Sequence, residues 1–159
     1  MILIIQILLL LRYKKIEKMK KKLLILIFVI SFADFGLNAG QIKINVLNIG
    51  VKEGFIHFGL YNDADLFPED QGRVLGGLLE VPKVIEDGLI IENLDESMYA
   101  VAIYHDENSN NRFDTFLAIP QERYGFSNNA KVFFGPPTFE DASFFVGKDE
   151  SVQIMIELR

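Results

Sequence analysis

Met98-Tyr99-Ala100-Val101-Ala102-Ile103-Tyr104-His105 is apolar on both of its alternating faces, with Tyr99, Val101 and Ile103 on one and Ala100, Ala102 and Tyr104 on the other. A short run with no polar face is the pattern of a central strand covered on both sides. It passes directly into Asp106-Glu107-Asn108-Ser109-Asn110-Asn111-Arg112-Phe113-Asp114, the densest polar chemistry between two apolar runs of the chain.

Working outward, Gln41–Ile49 alternates Ile42, Ile44 and Val46 with Lys43 and Asn45, the period of two expected of a half-buried strand. Phe55–Tyr61 repeats the pattern, with His57 on the face opposite Ile56, Phe58 and Leu60. Gly76-Gly77 argues against a helix over Arg73–Val81 and suits a short edge strand. Leu89–Leu94, Phe113–Ile119, Lys131–Phe134, Ala142–Val146 and Val152–Leu158 complete the set, separated by Gly, Pro, Asn and Asp. No helix of ten or more residues is evident after residue 39. The expected class is therefore all-β, an antiparallel β-sandwich of about seven strands with immunoglobulin-like or prealbumin-like Greek-key connections.

Charge divides the chain. Residues 1–39 carry seven Lys or Arg against two acids, whereas residues 40–159 carry nine against twenty, a net charge of −11. Nucleic acid is an unsuitable partner for so acidic a domain, because binding it depends on neutralising phosphates. Cysteine is absent, which removes disulfides and a lipid-modified cysteine as anchors. Ile2–Leu11 and Leu23–Phe32 are each shorter than the ~20 apolar residues that cross a bilayer. Met19, Lys20-Lys21-Lys22, the apolar run and Ser31-Phe32-Ala33 follow the order of a secretory signal peptide. The expected organisation is an upstream extension and signal over 1–39, starting in truth at Met19, then a β-sandwich domain over 40–159. The mature protein is expected to carry no transmembrane span and to be periplasmic or extracellular.

Tyr99–Asn108, Asn110-Asn111-Arg112-Phe113-Asp114, Ile119–Asn129 and Gly135-Pro136-Pro137-Thr138-Phe139-Glu140-Asp141-Ala142 resemble the signature of a family of exported bacterial proteins, the domain of unknown function 2141. The resemblance spans roughly Gln41 to Leu158 and implies a fold and a location but no activity. Many members carry Gly where this chain has Asn111, and Asn is the residue that best replaces Gly in a left-handed conformation.

Within the polar loop, Asp106, Asn108 and Asn110 fall at positions one, three and five of a twelve-residue calcium loop. Arg112 would offer its backbone carbonyl at seven, and Asp114 stands at nine. Position twelve, ordinarily a bidentate Glu, is Leu117, so this is no EF-hand. A further carboxylate would have to come from Glu122, Glu140 or Asp141, and binding would be weak, of order ~10⁻⁴–10⁻³ M. The plainer alternative is a hairpin tip in which Asn and Asp bond their own backbone.

His105 adjoins Asp106, but neighbours in a strand point to opposite faces, so the expected role of His105 is to bond a loop carbonyl. Tyr124, Phe126 and Asn128, in the Tyr124–Asn129 block, are candidates for a surface that recognises a carbohydrate or a peptide. Their alternative role is to plug one end of the sandwich. An acid pair near Glu122 and Glu140 would be needed for a hydrolase, and no nucleophile motif accompanies it. The functional expectation is an exported, non-enzymatic structural or interaction domain with a calcium-stiffened 106–114 loop, whose partner is an envelope protein or glycan. A carbohydrate- or peptide-binding module is the alternative.

Overall fold

The computed structural model describes residues 14–18 and 39–159. The chain divides into two compact units, Met1–Leu37 and Asn38–Arg159, two residues short of the boundary expected at 39/40. In the first unit residues 14–18 form a helical turn, α1. The proposed start, apolar run and Ser31-Phe32-Ala33 cleavage pattern lie outside the described residues. Among the described residues, no helix is long and apolar enough to cross a membrane.

The second unit contains ten strands: β1 (Gly40–Leu47), β2 (Phe55–Tyr61), β3 (Arg73–Glu80), β4 (Leu89–Leu94), β5 (Ser97–Asp106), β6 (Thr115–Phe116), β7 (Ile119–Pro120), β8 (Tyr124–Phe126), β9 (Phe144–Val146) and β10 (Ser151–Glu157). Helices α2 (Val81–Asp87) and α3 (Phe139–Ala142) join them, with 3₁₀ turns at Asp70–Gly72 and Ser127–Asn129. One sheet has the order β10-β1-β4, and the other runs β3-β2-β5-β8, with β9 adding to the first residues of β5. β6 and β7 form a separate hairpin.

The alternation that marks the strands also builds the core. Ile42 and Ile44 from β1, Ile56, Phe58 and Leu60 from β2, and Val101 and Ile103 from β5 are buried in one cluster with Leu89, Ile91, Ile156 and Leu158. Each such side chain contributes about 1.5–3 kcal/mol on leaving water. A second cluster packs Ala100 and Phe126 against Ala130, Ala142 and the partly buried Phe67. The middle of β5 thus faces apolar neighbours on both sides of its sheet, Tyr99, Val101 and Ile103 on one and Ala100 and Ala102 on the other, as the apolar run at Met98–His105 requires.

The all-β sandwich is corrected by this structure. The molecule is mixed α/β, with 17% helix beside 44% strand, and its sheets remain open. Nor is the pairing purely antiparallel, because β1 and β10 run parallel with Ile44 opposite Ile154. Parallel neighbours need a long crossover, and everything between β1 and β10 supplies it. α2 forms because Val81 and Val84, one turn apart, both insert into the core. Pro82 sits in the first turn, where its missing N–H costs nothing, and Gly88, at φ 78°, ends the helix with its N–H bonded to the Val84 carbonyl at 2.9 Å. Seven residues rich in β-branched side chains would not hold a helix alone, so tertiary packing stabilises it. α3 is one turn whose cap was written in the chain: Thr138 Oγ1 accepts the N–H of Asp141 at 3.2 Å.

Two further expectations change. Lys131–Phe134 is irregular rather than a strand. Phe113–Ile119 does not run straight but folds back through Leu117 and Ala118, both at positive φ, into the β6–β7 hairpin.

Candidate functional site

The Asp106–Asp114 loop leaves the end of β5 and turns tightly. Asp106 is fully buried; its Oδ1 accepts from Asn110 N at 3.0 Å and its Oδ2 from Asn111 N at 2.8 Å. Asn108 Oδ1 accepts from Asn110 N at 3.0 Å, and Asn110 Oδ1 accepts from Arg112 N at 2.8 Å. These are Asx-turn contacts, which shape a loop without an ion. Asn111 stands at φ 60°, the left-handed conformation that the substitution of Asn for Gly permits.

Three of the five candidate metal ligands share a focus. Asn108 Nδ2 and Asn110 Nδ2 both donate to Asp114 Oδ2, at 2.7 and 2.9 Å. Asp106 makes no bond to that focus and turns its oxygens to the Asn110 and Asn111 N–H groups and to His57, and Arg112 contributes its N–H to the loop. The groups facing Asp114 are amide nitrogens, so a cation at that point would need both amides turned to present oxygen, at the loss of two Asx-turn bonds. Among the described residues there is no group of three or more His, Cys, Asp or Glu arranged to hold a metal.

Glu122 lies alongside. Its Oε2 accepts from Asp114 N at 3.0 Å, while Oε1 is buried without a partner. Burial pushes its carboxyl above the usual range, and the carboxylates of Asp106 and Asp114 push the same way. Glu140 is on α3, and no hydrogen bond joins it to Glu122 among the described residues. The inward-facing His105 donates through Nε2 to the Glu53 carbonyl at 2.7 Å, the loop-carbonyl role expected of it.

The loop's most consequential contact is with β2. His57 Nε2 lies 3.2 Å from Asp106 Oδ2. Burial lowers the His57 pKa, outweighing the raising effect of Asp106, so at neutral pH a neutral imidazole donates to the carboxylate. The His57 ring stacks on Tyr104 with centroids 4.6 Å apart and planes 13° from parallel. Tyr104 meets Phe113 at 5.2 Å, Phe113 meets Tyr124 at 5.7 Å, and Tyr124 meets Phe126 at 6.1 Å. Burial and the nearby Asp106 and Glu122 push the Tyr104 phenol up to about 12, so it stays protonated.

These rings line a cleft of about 790 Å³ on the outer face of the β3-β2-β5-β8 sheet. The β6–β7 hairpin forms one wall, with Ile119 and Pro120, and the irregular 131–136 segment forms the other. Phe133 is 80% exposed and Phe134 fully so, an unusual display of large apolar surface at a rim. Arg73 and Asp70 stand at the opposite edge, already joined to each other at 2.6 Å.

Of the expected recognition residues, Tyr124 and Phe126 line this cleft and Asn128 does not. Asn128 lines a smaller hollow of about 460 Å³, and its Nδ2 donates to the Ser143 carbonyl at 2.8 Å. His57, Tyr104, Phe113 and Phe133-Phe134 were not among the sequence candidates. The one sequence signal was the pair of large apolar residues Phe133-Phe134 directly ahead of Gly135-Pro136-Pro137.

The fold and cleft define a small mixed α/β domain with an aromatic-walled cavity beside a hydrogen-bonded polar loop. The chain belongs to the family described as an uncharacterized protein conserved in bacteria, DUF2141, whose model matches residues 44–154. No curated protein and no solved structure matches the chain.

Proposed function

We propose that this is a non-enzymatic, exported binding module whose aromatic cleft takes a peptide through apolar side chains. The observation that carries the reading is the unbroken run Tyr104–Phe113–Tyr124–Phe126 along a cleft of about 790 Å³. Clefts of this size, mostly apolar with a few fixed polar groups, are the usual ligand sites of proteins. The polar groups here are few and already engaged, Arg73 with Asp70 and His57 with Asp106. A glycan would bring many hydroxyls and find few free partners, whereas burying them unpaired is costly. Apolar side chains of a peptide meet no such penalty, and the −11 charge of the domain favours a basic one. Export rests on the signal-like order of residues 19–39, which fits a periplasmic or an extracellular destination equally.

Calcium enters as a stiffener of the 106–114 loop. The unpartnered Oε1 of buried Glu122, whose Oε2 accepts the Asp114 N–H, favours it, since that oxygen would be an additional ligand.

Peptide arrays and glycan arrays probed in parallel test the cleft. The expected result is binding to peptides with aromatic or aliphatic anchors, lost by roughly tenfold or more in Phe113→Ala. Binding confined to glycans, or peptide binding unaffected by Phe113→Ala, would overturn it.

A further inference from the structure

β3 is the outer strand of its sheet, and all but one of its eight residues are exposed. Val74, Leu75 and Leu78 are 50, 44 and 45% exposed, and neither Lys nor Pro interrupts the strand. Such an edge offers a row of free backbone donors and acceptors to any strand that fits. The sequence Arg73-Val74-Leu75-Gly76-Gly77-Leu78-Leu79-Glu80 carries opposite charges at its two ends.

We propose that β3 pairs antiparallel with β3 of a second copy of this chain, about a two-fold axis that passes through Gly77 normal to the sheet. The inference rests on the strand edge and is independent of the cleft's ligand. Geometry restricts the choice of register. An axis normal to the sheet keeps the faces of both copies aligned, so residues opposite each other must point to the same side. Gly77 lies opposite Phe58 of the core, and Leu79 packs against the core, so residues 75, 77 and 79 share that side. Residues 76, 78 and 80 take the other. A bulge at Val74, where the β2 pairing skips from Leu75 to Arg73, returns Arg73 to the side of Glu80, and Arg73 lines the cleft there.

With the axis at Gly77, Leu75 opposes Leu79 of the second copy and Gly76 opposes its Leu78. The bulged Arg73-Val74 pair then faces Glu80 of the second copy, and the same contact recurs at the other end. With the axis at Gly76, Arg73 would face a leucine and Glu80 would run past the strand end. Charge therefore selects the Gly77 register. Arg73 can hold Asp70 and a second carboxylate together, because guanidinium has five donors. Glu80 is available, since it precedes α2 without a side-chain capping bond. The two sheets would join into one, and both clefts would open on the same side, which gives a bivalent module.

Sedimentation of the protein expressed from the full chain, against Arg73→Glu, Glu80→Arg and the double variant, tests this. The expected result is a dimer whose association constant falls roughly tenfold in each single variant, which sets like charges together at both ends, and recovers in the double variant. A monomeric wild type, which would leave the edge to some other strand, overturns the proposal. So does a dimer indifferent to the single changes, or one that the double variant fails to restore.

Discussion

Asp106 ties the polar loop to β2. Its two buried oxygens hold the N–H groups of Asn110 and Asn111 and the imidazole of His57, in part-buried bonds. Asp106→Ala should therefore cost about 1–3 kcal/mol in urea unfolding, because three hydrogen bonds to a carboxylate are lost together. Two neighbours give stability opposite dependences on pH. The folded His57 pKa lies below its unfolded value, so its contribution is fully present above about pH 6.5 and is lost as pH falls through the folded value. The folded Glu122 pKa lies above its unfolded value, so its contribution is present below the ordinary carboxylate range and is lost as pH rises through the folded value. Unfolding midpoints across about pH 4–8 should show His57→Gln flattening the acid-side loss and Glu122→Gln flattening the decline above it. The sequence disclosed Asp106 as an oxygen donor of a loop. That its carboxylate turns inward to a histidine 49 positions earlier could not be read from spacing.

Among elements, β5 was legible and the helices were not. An apolar run on both faces can only be a covered strand or a buried helix, and its β-branched and aromatic content favours the strand. α2 was missed because nothing in Val-Pro-Lys-Val-Ile-Glu-Asp favours a helix without the core that Val81 and Val84 enter. α3 left a visible sign in Thr138 and Asp141, a reciprocal cap in which Thr138 Oγ1 also donates to Asp141 Oδ2 at 2.9 Å. Ser127 couples three elements: its Oγ accepts from Val101 N of β5 at 2.8 Å and donates to the Ala142 carbonyl that ends α3 at 2.6 Å. Ser127→Ala should cost about 1–3 kcal/mol, read by chemical denaturation, since a buried N–H and a buried carbonyl are left unpaired. At Gly54, φ is 79° and a Cβ would strike the Asp106 carbonyl oxygen, so that turn admits the loop only as glycine.

At the scale of the whole molecule, the polar loop and the cleft form one unit, because Asp106 holds His57, His57 supports Tyr104, and Tyr104 meets Phe113. A loop stiffened by an ion would therefore also steady the cleft wall. At a dissociation constant of ~10⁻⁴–10⁻³ M, calcium at about 10 mM should stabilise the fold by ~1.4–2.7 kcal/mol, so the thermal unfolding midpoint there should exceed that in chelator. An unchanged midpoint would remove the ion and leave the cleft as proposed. By itself the sequence determined the paired apolar faces of β1, β2 and β5, the turn chemistry between them and the family, because each is encoded by neighbours a few residues apart. Tertiary structure alone decided that β1 and β10 lie parallel, that short segments become helices, and that rings from β5, the polar loop and β8 meet around one cavity. Those outcomes depend on contacts between residues far apart in the chain, and a period of two or a short motif carries no information about which distant surface each face will meet.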